Sequence, residues 1–315
     1  MRRLLVALLL VSSCSAQRAA EPAHAPPAAR SPAGQVLAVG SQAEGVAVDP
    51  VTHLAAVGVR NPFRIVLVDL RTDRVVRTVP VSGHVRHLAL QAPGGPVLVP
   101  LEDSGALLTL ALPSGGILSS IPTSGYPHGV AAVGRDAAVV GNEMGHRVTL
   151  VRAGRVVATD TEFPQPGGAT TSGDSIYIVD VKASTVTRLR SDTLRHLGSR
   201  DLGDGLTHAV TDIRGDVVVI DTRGGAIYVL RPDLSTRLTR RLPGTPYGVA
   251  YDPTRDRLWI TLTGRNQVVG LHGPDLVEDR RLPTVRQPNT VAVDPTDGTV
   301  VVASRTDGTV QLLHP

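Results

Sequence analysis

Lysine is nearly missing from this chain. Lys182 is the only one, so the formal charge of +4 rests on arginines scattered among Asp and Glu, which argues against a nucleic-acid surface. Aromatic residues make up 3% of the sequence, too few to line a sugar-binding cleft. There is no C-x-x-C-H haem attachment, no Gly-rich phosphate loop carrying a lysine and no G-x-S-x-G elbow. Long amphipathic periodicity is absent too. No extended window repeats apolar residues at i, i+3, i+4 and i+7, which excludes a helical protein.

What the chain does contain is short β-branched runs cut by turns. RIVLVDL (64–70) and DVVVID (216–221) are typical, and 32 Gly and 24 Pro supply the punctuation. One phrase recurs: GVAVDP at 45–50, GVAYDP at 248–253 and TVAVDP at 290–295. Aligned on it, repeats are anchored at Val46, Leu88, Val130, Ala169, Ala209, Val249 and Val291, with spacings of 42, 42, 39, 40, 40 and 42. Four strands of about six residues with turns of about four fill such a period. Seven units therefore predict an all-β protein, a seven-bladed β-propeller of four-stranded blades.

The two ends agree with this reading. The seventh repeat stops at Pro315 after three strands, and the missing strand is found before the first anchor in QVLAVGS (35–41). Val39 lies seven residues before Val46, as Val81 lies seven before Leu88. The N-terminal strand is thus expected to complete the last blade, leaving no open edges. Asp49, Asp252 and Asp294 read as turn acceptors in Asp-Pro turns.

These repeats resemble the YVTN and NHL-type seven-bladed propellers, whose units carry G-V-A-x-D-P, then a Tyr-Val-Thr-Asn-like second strand, then Asn-x-Val. The sixth repeat is nearest, with Trp259, Ile260, Thr261 and Leu262 followed by Asn266, Gln267 and Val268. The resemblance covers about 280 residues and implies the fold; such propellers serve as enzymes, binding proteins and scaffolds alike. At the Asn position the chain reads Val59, Leu101, Asn142, Asp180, Asp221, Leu262 and Ser304, so only Asn142 keeps the pattern.

The first residues resemble a bacterial lipoprotein signal. Arg2 and Arg3 are followed by an apolar stretch from Leu4 to Val11, too short to span a bilayer, and then by VSSC. Residues 1–13 read as the signal peptide and Cys14 as the lipidated N-terminus of an exported protein anchored to the membrane outside the cytoplasm. That role removes the only thiol from catalysis. Residues 14–33, rich in Ala and Pro, read as a disordered tether, and 34–315 as the propeller.

In a four-stranded blade the link entering the inner strand and the loop between the second and third strands emerge on one face. The first set of positions is Glu44, Arg86, His128, Gly167, Thr207, Tyr247 and Asn289. The second is Arg60, Glu102, Asn142, Glu143, Asp180, Asp221 and Arg305. They predict a polar pocket at the channel mouth in which Arg86 and Arg305 grip an anion. The expected function is binding of a protein partner or small ligand at this funnel face without turnover, by a monomer. The alternative is a lyase or lactonase with His128 as general base and Glu143 or Glu102 orienting or protonating. His87 and His208 adjoin inner strands, but apart from His84 and His87 the histidines lack the close spacing of a local ligand pair. No metal and no cofactor are expected.

Overall fold

The computed structural model describes residues 21–314. Among them, 28 strands form seven four-stranded antiparallel sheets. Blade 1 consists of Ser41–Asp49, Leu54–Asn61, Arg64–Asp69 and Arg74–Pro80, running from the channel outward. Blade 2 (Ala89–Leu90, Val97–Leu101, Ala106–Leu110, Ile117–Pro122) has the shortest inner strand. Blades 3 to 6 repeat the order from inner strands Pro127–Val133, Pro166–Ser172, Leu206–Thr211 and Pro246–Asp252. Blade 7 takes Pro288–Val293, Val300–Ser304 and Thr309–Leu313 from the C-terminus and Gln35–Ala38 from the N-terminus.

That last pairing closes the ring as the repeat predicts, with Gln35 opposite Leu312 and Ala38 opposite Thr309. A buried glutamine secures it. Gln311 Nε2 donates to the carbonyls of Ala33 and Pro283, while its Oε1 accepts from the Val285 amide. Each amide group is satisfied, so the polar side chain carries no desolvation penalty in an otherwise apolar blade.

Core packing lies between blades. Seven apolar clusters fill the seven blade interfaces, from Val57 and Val66 against Val301 and Ala303 to Trp259 and Val268 against Val291 and Val302. Second strands are accordingly buried on both faces, as in Val97–Leu101, whereas outer strands such as Arg74–Pro80 are mostly exposed. Trp259 belongs to this core. It is 3% exposed, under the guanidinium of Arg257.

The recurring phrase marks the innermost strand and its turn. A Cβ on Gly45 would come within 1.8 Å of the Arg86 carbonyl, so glycine is required where inner strands crowd around the channel. Asp49 accepts from the amide and hydroxyl of Thr52, Asp252 from the Thr254 amide, and Asp294 from the Thr296 amide. These aspartates are turn acceptors, as expected.

The expected loose tether is corrected over residues 23–26. Gln287 Nε2 donates to Ala23 O at 2.7 Å, Gln287 Oε1 accepts from the Ala25 amide at 2.7 Å, Thr263 Oγ1 accepts from the Ala23 amide, and Asn266 Nδ2 donates to Pro26 O. Ala25 is 4% exposed. Proline and alanine carry no signal for this docking because the contacts are to main chain, which any sequence offers. The expected signal peptide at 1–13 and the expected lipidation site Cys14 lie outside the described residues.

Candidate functional site

Near the entry of the inner strands a register shift interrupts the pairing with the second strand, between Ala43 and Val46 in blade 1, Pro127 and Gly129 in blade 3, and Pro246 and Val249 in blade 6. A bulge re-aims the residues beside it. Glu44, His128 and Tyr247 sit there, and the second-to-third loops add Glu102, Glu143 and Arg305.

The center of the site is a buried charge network spanning blades 1 to 3. Arg86 Nη1 lies 3.0 Å from Glu44 Oε1 and its Nε 3.4 Å from Glu102 Oε1. His84 joins the same carboxylates, Nδ1 at 2.9 Å from Glu102 and Nε2 at 3.4 Å from Glu44. On the other side His128 Nδ1 faces Glu102 Oε1 at 2.9 Å and Glu143 Oε2 at 2.5 Å. Arg86 Nη2 donates to His128 Nε2 at 3.2 Å. In the neutral ring this contact places the lone pair on Nε2 and the proton on Nδ1, facing the carboxylates.

Burial alone pushes Glu44 up, but Arg86 and His84 outweigh it and hold the carboxyl well below the ordinary range. Glu102 behaves likewise, with burial overcome by His128, His84 and Arg86. In Glu143 burial is overcome by His128 and Gln165, leaving it at about 2. His84 is raised, because Glu102 and Glu44 outweigh its desolvation. His128 is raised as well: burial and Arg86 lower it, Glu143 and Glu102 more than compensate. Arg86 is buried yet pushed up by Glu44 and Glu102, so it stays charged.

Above this network is a cavity of about 270 Å³ bordered by Arg86, His128, Glu143, Gln165, Tyr247 and Arg305, with Glu21 and Pro22 of the docked segment at its edge. Gln165 Nε2 donates to Glu143. Arg305 makes no ion pair or side-chain hydrogen bond among the described residues and faces this space half-buried. Below, the channel widens into a second cavity of about 330 Å³ lined mainly by inner-strand residues. His87 and His208 stand between the two.

Not every predicted rim residue joins the site. Asn142 faces into blade 3, donating to Thr149 Oγ1 at 2.9 Å. Asp180 caps a turn through the amides of Gln165, Lys182 and Ala183, and Asp221 one through Asp204, Gly205 and Gly224. In the structure these three serve the framework, Asn142 as a donor inside its blade and Asp180 and Asp221 as acceptors, because a carboxylate following a buried second strand meets backbone N–H groups before it meets solvent. Arg60 borders neither cavity, and Asn289 lines the lower one instead of the mouth. Gln165 and His84 were missed: Gln165 enters from outside the repeat's rim positions, and His84 through the irregular start of blade 2, where Val85 bridges Leu101.

Glu102, His128 and Glu143 place three ligand atoms within 4.8 Å of one another. His128 Nδ1 stands at hydrogen-bond distance from both carboxylates, and Arg86 lies beside the group as a fixed cation.

No family model matches the chain, and no curated protein matches it in sequence. Solved structures do match in fold. A chain of the mitotic checkpoint complex superposes with a TM-score of 0.79 at 11% identity, over 100% of this chain and 99% of that one. Virginiamycin B lyase from Staphylococcus aureus, as a catalytically inactive variant with quinupristin, gives 0.76 at 14% identity over 89% and 98%. Hydrazine synthase of Kuenenia stuttgartiensis gives 0.71 at 17% over 88% and 95%. At these identities the likeness is one of architecture: the chain has the seven-bladed propeller fold, shared by proteins of unrelated roles.

Proposed function

We propose that this protein is an exported, membrane-tethered propeller that holds a small anionic ligand at its funnel mouth without turning it over. The observation that carries the reading is Arg305. It borders the same cavity as Arg86 and Gln165, and while the carboxylates of the network are paired with Arg86, His84 and His128, Arg305 acts on Glu44 only through space and forms no ion pair of its own among the described residues. A planar guanidinium suits carboxylate or phosphate oxygens, and a rigid ring of strands keeps it in place before the ligand arrives. Tethering through Cys14 rests on the residue pattern of the first fourteen positions.

The lyase or lactonase alternative draws support from His128, whose Nδ1 is oriented by two carboxylates as a general base requires, and from the lyase among the fold neighbours. Yet Nε2, the nitrogen that would take the proton, already accepts from Arg86. Binding is therefore the better reading of the geometry.

A thermal-shift panel of phosphate, sulfate, citrate, other small carboxylates and lactones tests it. At a hundred times its dissociation constant a ligand stabilises by about 2.7 kcal/mol, a visible rise in Tm. We expect at least one anion to give such a rise and Arg305→Ala to remove it without lowering the unliganded Tm. Absence of any shift would leave a protein partner as the occupant of this face. Hydrolysis or elimination of a panel compound, lost in His128→Ala, would establish the enzyme instead.

A further inference from the structure

The residue just before each repeat anchor reads Gly45, His87, Gly129, Gly168, His208, Gly248 and Thr290. Glycine prevails because the inner strands crowd there: a Cβ on Gly129 would meet the Gly167 carbonyl at 2.3 Å, and one on Gly248 the Asn289 carbonyl at 2.5 Å. Blades 2, 5 and 7 break the rule, blade 7 with Thr290 and blades 2 and 5 with histidine. Blades 2 and 5 stand on opposite sides of the ring, so their side chains cross the channel to meet.

His87 Nε2 lies 3.1 Å from His208 Nε2, with the rings nearly perpendicular at 80°. Each ring is braced from behind. His208 packs edge-on against Tyr247 with centroids 4.6 Å apart, and His87 against His128 at 4.9 Å. His208 Nδ1 is buried without a hydrogen-bond partner. Both imidazoles border the 330 Å³ cavity, and His208 also borders the funnel cavity, so there is room for further ligands on either side of the pair.

We propose that His87 and His208 are the two protein ligands of a divalent transition metal on the propeller axis, coordinated through Nε2 of each, with water or a small channel ligand completing the shell. Two metal–nitrogen bonds of about 2.0–2.1 Å at a tetrahedral angle hold their nitrogens about 3.3–3.4 Å apart, so a metal replacing the proton that the two Nε2 atoms share at 3.1 Å needs only a small separation of the rings. Imidazole donors select zinc, copper or nickel over magnesium or calcium. The packing of Tyr247 and His128 keeps both rings turned toward the axis, so binding needs little reorganisation.

The test is titration of the EDTA-treated full-length protein with Zn(II) by calorimetry, and with Cu(II) followed by electron paramagnetic resonance. One metal per chain and superhyperfine splitting from two nitrogens are expected. His87→Gly and His208→Gly introduce the residue of blades 1, 3, 4 and 6 and should each weaken binding at least about tenfold, with His87→Gln as a second variant should either glycine impair folding. His196→Ala, at the surface group of Asp160, Glu162 and His196, should leave affinity unchanged. No binding at micromolar metal, or affinity kept in the His87 and His208 variants, would overturn the proposal. Neither result bears on anion binding at Arg305.

Discussion

Arg86 is the residue on which the charge network depends. It faces Glu44 and Glu102 with its side chain 13% exposed, so removing it strands buried carboxylates. Arg86→Met should cost about 3–5 kcal/mol in urea unfolding, and adding Glu44→Gln should recover part of that loss. Acid should attack the same place. Glu44, Glu102 and Glu143 have native values below the ordinary 4.5, with Glu143 at about 2, so their stabilisation is complete above pH 5 and fades as pH falls through the native values. His84 has the opposite sign: its value is raised, so its contribution is present below 6.5 and is lost as pH rises through the native value. A Tm profile against pH should therefore fall on both sides, and Glu102→Gln, which removes a partner of Arg86, His84 and His128, should flatten both limbs.

Among the elements, the docked N-terminal segment is the one that propensity could not reveal. It is held by side chains of blade 6 and the link into blade 7, above all by Gln287, whose amide both donates to Ala23 and accepts from Ala25. Gln287→Ala should release the segment, read as loss of hydrogen-exchange protection at the Ala25 amide, while global stability changes by only about 1 kcal/mol. Unchanged protection would mean that other contacts hold it. The strands themselves were legible from β-branched runs and Asp-Pro turns. The short inner strand of blade 2 was less so, since its anchor HLALQAP fits the repeat while its pairing is reduced to Ala89 and Leu90.

For the whole molecule, stability depends on closing a circle. Each blade buries its apolar faces only against its two neighbours, and blade 7 is complete only when Gln35–Ala38 pairs with Thr309–Leu313. Deleting residues 21–38 should expose an unpaired edge and lower Tm markedly. Concentration-dependent association by light scattering is the expected accompaniment, and a monomer of unchanged Tm would show that closure contributes little. The period, blade number, closing strand and turn aspartates were all determined by the sequence itself, because they follow from local pattern repeated seven times. The face carrying the site was also determined there, since strand order alone puts Glu44, Arg86, His128 and Arg305 at one end. Only the tertiary structure decided which rim residues meet. It set Asn142, Asp180 and Asp221 to framework work, left Arg305 outside the ion pairs of the network, and brought His87 to His208 across the axis. Such contacts join blades far apart in the chain, and their partners are chosen by the radius and packing of the closed ring, which no local pattern encodes.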